Sequence, residues 1–138
     1  MLSQADYAEL ATFRFQIRSF LSFSEKAALE AGVEPRQHQA LLTIKAAEEP
    51  CTIGTIAAQL FLQHQSAVGL VNRLESAGLV TRAASKQDGR QVIVRITAQG
   101  ERILKTLSLT HQSEVQQRAP EFVRTLQAIM RRAKEARQ

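Results

Sequence analysis

Residues 74–100 read LESAGLVTRAASKQDGRQVIVRITAQG, and the succession of signals in this stretch decides the fold. The spacing predicts a helix that ends at Gly78, where a left-handed stop suits glycine. Residues 79–84 alternate weakly and residues 91–97, QVIVRIT, alternate clearly between apolar and polar, the pattern of paired strands. Between them SKQDGR carries Asp88-Gly89, a strong hairpin signal. Thr97 then caps a further helix from Ala98. Arg82, Lys86, Arg90 and Arg95 lie on or near the hairpin, and Asp88 is its only acid.

Working outward, residues 52–60 (TIGTIAAQL) suit a short helix with Thr52 as N-cap, Phe61, Leu62 and Gln63 a tight turn, and residues 64–77 (HQSAVGLVNRLESA) a second helix. Val68, Val71 and Leu74 are its expected inner stripe, with Ala67 and Leu70 at the flanks. These are helix-turn-helix proportions. In that motif the N-terminal residues of the second helix meet base edges in the major groove. Here they are His64, Gln65 and Ser66, preceded by Gln63, with Asn72 and Arg73 one to two turns on. Gln pairs with adenine and Arg with guanine, while Ser and backbone N–H groups suit phosphate. The polar face of this helix holds one acid, Glu75, near its far end.

The hairpin narrows the reading to a winged helix-turn-helix that binds duplex DNA. Arg90 projects from or just below the tip, where a guanidinium enters a narrow minor groove or clamps phosphate, with Lys86 nearby. Asp88 repels phosphate, so its place is explained as a turn former that also orients an arginine. The alternative for this pair is a plain surface salt bridge, worth roughly 0–1 kcal/mol.

The flanks are helical. Residues 4–31 carry Leu10, Phe13, Ile17, Phe20, Leu21 and Leu29 at three- and four-residue steps, with Phe15 and Phe23 off that stripe. Such a helix is apolar over more than one face, which predicts a partner surface, a second copy of the chain, alongside packing within the chain. Residues 35–47 form a helix with Pro35 in its first turn and Ala40, Leu41 and Ile44 buried. Residues 98–119 form another, Pro120 marks a break or the first turn of the next element, and a sixth helix follows. The expected fold is mainly α with a small β-hairpin (α+β), one domain over 1–138: a winged lobe at 35–100, and dimerisation helices at 1–34 and 101–138.

Composition agrees with an anionic partner. The formal charge is +5 and the sequence pI about 10.0, which favours a polyanion such as duplex DNA. Aromatics are 5% with no Trp, which excludes broad stacking platforms for single strands. One cysteine excludes an intrachain disulfide. No secretory signal and no membrane-spanning run is read, and the cytoplasm is the expected compartment.

The run GLVTRAASKQDGRQVIVRITAQG, with Asp88, Arg90, Val94, Ile96, Thr97 and Gly100, resembles the wing signature of the MarR (multiple antibiotic resistance regulator) family, and TIGTIAAQL and VNRLESAGLV fit as well. The resemblance covers about residues 52–100. It implies an obligate homodimer built from N- and C-terminal helices, binding to a pseudo-palindromic operator, and in many members release of DNA when a small phenolic or anionic effector binds between the dimerisation helices and the DNA-binding lobe. Two departures stand out. Thr55 occupies a position where the family often has an acid that closes a capping box, and Gly69 one where it often has a polar or basic residue; the glycine removes a base contact and costs roughly 1 kcal/mol of helix propensity. Base recognition is then expected to shift toward His64, Gln65 and Arg73. Phe61 is expected to cover the core or to stay partly exposed.

Other chemistry finds little footing. Cys51 reads as a small half-buried residue at the start of the third helix, with redox sensing as the alternative. His38 suits a ligand pocket or the helix surface. His111 and Glu114 share a helix face, yet no Cys/His cluster completes a metal site. No nucleophile elbow, phosphate-binding glycine loop, HExxH pair or paired catalytic carboxylates can be read, so no enzyme, cofactor, catalytic residue or metal is expected. The expected function is a ligand-responsive, sequence-specific repressor acting as a homodimer. The alternative is a winged-helix module that uses its wing on an acidic protein.

Overall fold

Several helix ends fall where side chains or left-handed residues satisfy the free backbone groups of the terminal turns. In the computed structural model, which describes residues 1–138, α1 spans Gln4–Glu30. The Ser3 hydroxyl accepts the Asp6 N–H at 3.2 Å and Asp6 Oδ2 accepts the Ser3 N–H at 2.7 Å, a reciprocal cap. α2 spans Pro35–Ala46, and the Glu34 N–H before it donates to Gln37 Oε1 at 2.8 Å. α3 (Ile53–Gln59), α4 (His64–Ser76) and α5 (Ala98–Ala136) follow. The Thr97 hydroxyl starts α5 by accepting the Gly100 N–H at 3.1 Å while donating to the Gly78 carbonyl at 2.7 Å, which fastens that start to the end of α4.

The hairpin is present as β2 (Val80–Ala84) and β3 (Val92–Ile96), antiparallel, with Val80 opposite Ile96 and Ala84 opposite Val92. A third strand joins it: β1, Cys51–Thr52, pairs with β3, giving the order β1-β3-β2. Cys51 therefore lies in a strand and is buried, rather than half-buried at a helix start. Burial pushes its thiol pKa up, so it stays a neutral thiol.

The chain divides into two units. Residues 28–108 form one, with a core of Leu41, Ile56, Leu70, Val71, Leu74, Val80 and Val94 almost wholly withdrawn from water. Ala40, Leu41 and Ile44 are buried as their spacing predicts. In α4 the inner stripe is Ala67, Leu70, Val71 and Leu74, and Val68 lies at its half-buried edge. His38 is buried within α2 rather than on the helix surface.

Residues 1–27 and 109–138 form the other unit. Phe13 stacks on Phe122 with centroids 5.7 Å apart, and His111 packs edge-on to Phe20 while its Nε2 meets Ser24 Oγ at 2.7 Å. Arg118 ion-pairs with Glu114 at 2.9 Å and donates to Ser19 Oγ at 2.8 Å. Pro120 neither breaks the chain nor starts a sixth helix; it lies inside α5, which is one helix of 39 residues. Pro120 and Gln116 are both exposed, so the carbonyl left without its N–H partner faces solvent. No helix is long and apolar enough to cross a membrane.

Candidate nucleic-acid interface

α3 is short, and its first turn depends on Thr52. The Thr52 hydroxyl accepts the Thr55 N–H at 3.1 Å, and the two threonine hydroxyls lie 3.1 Å apart. Thr55 thus joins the cap through its hydroxyl, without the acid that a capping box would use. At the other end the Phe61 N–H reaches the Ala58 carbonyl (3.4 Å) and the Leu62 N–H the Ala57 carbonyl (2.8 Å), while Phe61 takes φ +54°. That is a Schellman closure, and it turns the chain sharply into α4.

Gln63 caps α4 in extended conformation, and its carbonyl accepts the Ala67 N–H at 3.1 Å. The buried side chains Ala67, Leu70, Val71 and Leu74 fix the roll of the helix. Gln63, His64, Gln65 and Ser66 consequently all point away from the core and are exposed, on the first turn and its cap. Asn72 and Arg73 are exposed farther along. Arg73 is not free: its Nε meets Glu34 Oε2 at 3.1 Å, and its guanidinium lies close over Gly69, where an added Cβ would stand 3.6 Å from Nη1. No carboxylate occurs between Glu49 and Glu75.

The wing tip is held by side chains. Ser85 Oγ accepts the N–H groups of Gln87 and Asp88, each at 3.2 Å, and Asp88 Oδ1 accepts the Arg90 N–H at 3.0 Å. Asp88 therefore acts as the turn former, and its bond goes to the Arg90 backbone rather than to the guanidinium. Lys86 and Arg90 are exposed without an ion pair, whereas Arg82, at the base of the wing, pairs with Glu75 at 3.2 Å. The geometry thus sorts the nine expected site residues. Gln63 to Ser66 make one exposed polar cluster, Lys86 and Arg90 are free cations around Asp88 on the wing, and Asn72 and Arg73 stand apart, Arg73 already engaged.

The position of one residue of this surface was open in the sequence, between covering the core and staying partly exposed. Phe61, between the two helices, is 96% exposed. Its signal in the sequence was a phenylalanine at the turn position where glycine is usual. An open cavity of about 580 Å³ lies elsewhere in the same unit, along the start of α5, with Lys45, Arg102 and Lys105 on its rim and Lys45 bonded to Glu101 at 2.7 Å.

Comparison with known proteins agrees with this architecture. The model of the MarR family matches residues 31–91. By fold the chain is similar to AbsC, a MarR family transcriptional regulator from Streptomyces coelicolor, at TM-score 0.77 and 19% identity over 99% of this chain and 97% of that one. It is similar to CouR from Rhodococcus jostii, bound to p-coumaroyl-CoA, at TM-score 0.70 and 24% identity over 92% and 95%. It is also similar to a Staphylococcus aureus MepR variant bound to an oligodeoxyribonucleotide, at TM-score 0.66 and 17% identity over 93% and 96%. No curated protein matches by sequence.

Proposed function

We propose that this chain, whose residues 31–91 match the model of the MarR family, is a sequence-specific DNA-binding transcriptional regulator that acts as a homodimer and represses by occupying a pseudo-palindromic operator. The observation that carries the reading is the acid-free, exposed first turn of α4 beside a wing whose two tip cations are unpaired. Gln63, His64, Gln65 and Ser66 are the base- and phosphate-facing set, Asn72 extends it, and Lys86 and Arg90 hold the flanking backbone or minor groove. Arg73 joins only by exchanging Glu34 for DNA. A two-fold dimer would set its recognition helices ~34 Å apart, one turn of duplex.

Dimerisation is supported by the apolar side chains that the terminal-helix unit leaves in water, Leu10, Phe15, Ile17 and Leu21 among them. Effector control is supported by the p-coumaroyl-CoA bound to CouR and by the basic-rimmed cavity, whose size and charge suit an anionic small molecule. Such a ligand relieves repression only by binding the DNA-free conformation more tightly.

Selection of bound sequences from a random duplex library tests the reading, and an enriched inverted repeat is expected. Four wing cations per dimer, each neutralising one phosphate, add about −3 to −4 to the slope of log affinity against log salt. Arg90→Ala is expected to flatten that slope with modest change in sequence preference. Absence of retention on any duplex at low ionic strength would refute the proposal and favour a protein-binding wing.

A further inference from the structure

Three helices of this chain end in the same hydrogen-bonded closure. After α1 the Gly32 N–H reaches the Leu29 carbonyl and the Val33 N–H the Ala28 carbonyl, each at 3.0 Å. After α4 the Gly78 and Leu79 N–H groups reach the Glu75 and Leu74 carbonyls at 2.9 and 3.0 Å. After α3 the same two bonds are made by Phe61 and Leu62. The pivot residue is left-handed each time, with φ +86° at Gly32, +78° at Gly78 and +54° at Phe61. Glycine meets that demand without a Cβ penalty, and a bulky aromatic meets it at a cost.

Nothing inside the chain repays that cost. Phe61 is 96% exposed, and it enters no ring contact. Leu60 and Leu62 on either side are half-buried and close the turn onto the lobe without it. The free chain therefore carries, at one position, both a strained backbone and an aromatic ring in water. The position directly precedes Gln63 and His64, within the stretch that has no carboxylate.

We propose that Phe61 is a specificity-determining residue whose ring packs on the 5-methyl group of a thymine at the edge of the major groove, one in each half-site. This rests on the DNA-binding reading above and adds to it an apolar contact. The thymine methyl is the apolar group that the major groove displays, and phenylalanine is among the side chains suited to it. Wedging between base steps is a minor-groove device, whereas this turn leads into the helix assigned to the major groove.

The test compares wild type with Phe61→Gly and Phe61→Leu on a duplex that the wild type selects from a random library, and on the same duplex with uracil replacing thymine at one symmetric pair at a time. Phe61→Gly is expected to melt no lower than wild type, since glycine suits the left-handed pivot. Its affinity should fall roughly fourfold per half-site, about fifteenfold for the dimer, as one methyl contact is lost in each. Because the ring is neutral, the salt slope should not change. At one thymine pair, uracil should weaken wild type by the same factor and leave Phe61→Gly unaffected, and Phe61→Leu should recover part of the loss. The proposal is overturned if Phe61→Gly binds like wild type, if its loss is undiminished by uracil at every position, or if the substitution changes self-association instead. Should wild type bind no duplex at all, the DNA-binding reading fails and takes this one with it; wild-type binding with no effect at Phe61 removes this one alone.

Discussion

The winged lobe and the terminal-helix unit divide the chemistry of folding unequally. Every buried hydrophobic residue, from Ala28 to Leu107, belongs to the lobe. The terminal helices bury one side chain to the same degree, the polar Thr125, and leave Tyr7, Leu10, Phe15, Ile17, Leu21, Leu109, Val115, Val123 and Met130 exposed. The lobe thus withdraws most of its apolar surface from water, while the helix unit leaves an apolar stripe exposed, the surface on which the proposed dimerisation rests. Within the lobe Phe61 is the most exposed large hydrophobic residue, followed by Leu29 and Leu42, so it resembles the helix unit more than its own surroundings. The difference teaches that burial organises the lobe, and that the proposed intermolecular contacts fall where large apolar side chains are left exposed.

The sharpest way to break that contrast is to place charge on the helix stripe. Leu10, Ile17 and Leu21 recur at seven- and four-residue steps on one face of α1. Ile17→Asp with Leu21→Asp is expected to weaken self-association by about 4 kcal/mol, roughly a thousandfold, since two apolar contacts are lost and carboxylates must be desolvated. Sedimentation equilibrium reads the effect, and a doubly charged variant that still sediments as a dimer removes the partner surface from this face. A matched truncation follows in size. Leu74→Ala, at a side chain with no exposure, should lower unfolding stability by about 3 kcal/mol. Leu21→Ala, at 48% exposure, should leave the unfolding of the lobe unchanged and act only on self-association. Equal destabilisation of the lobe by both would mean that the two regions share one core.

What the sequence disclosed and what it withheld follow the same line between local and tertiary causes. Gly78, Thr52 and Asp88 were legible because each acts on backbone within a few residues: a left-handed stop, a hydroxyl cap, a carboxylate on an N–H two positions on. β1 was not legible, since a two-residue strand has no period and exists only through β3. The alignment of α4 was half legible. Val68 shares Val71 and Leu74 with one stripe, and Ala67 and Leu70 share them with another, so the choice is made by what lies across the helix. Pro120 misled because its cost depends on whether the freed carbonyl meets solvent. In the candidate interface, the exposure of the polar turn from Gln63 to Ser66 was readable from motif spacing. The exposure of Phe61 was not, because an aromatic in a turn can fold in either direction.

Gly100 tests how tightly the lobe closes on the start of α5. An added Cβ there would run into the Leu79 carbonyl and stand 2.8 Å from Ile96 Cγ1, and the Thr97 N–H already holds that carbonyl at 3.0 Å. Gly100→Ala is expected to cost about 2 kcal/mol in chemical denaturation, less than the loss of Leu74 and against the usual helix-stabilising sign of this exchange. Stabilisation would show that the junction has slack and that its order comes from Thr97 alone.

The smallest expected effect lies in the helix unit, at the first turn of α1. Hydrogen bonds from the Ser3 backbone and hydroxyl, with Arg132 Nη1 at 3.9 Å, hold the Asp6 carboxyl below its ordinary pKa. A carboxyl whose folded pKa is depressed lends stability that is fully present above its unfolded value, about 4, and lost as pH falls through the folded one. Amide exchange in the first turn of α1 should therefore quicken as pH is lowered through that range, once corrected for intrinsic rates, while the core strands of the lobe are unmoved. Asp6→Asn should abolish the pH step, and Ser3→Ala should shrink it, because the carboxylate loses its hydroxyl donor and keeps its backbone one. If the step persists in Asp6→Asn, the first turn is held by something other than this cap, and the contrast between a lobe secured by burial and a helix unit that draws on polar contacts as well loses its simplest support.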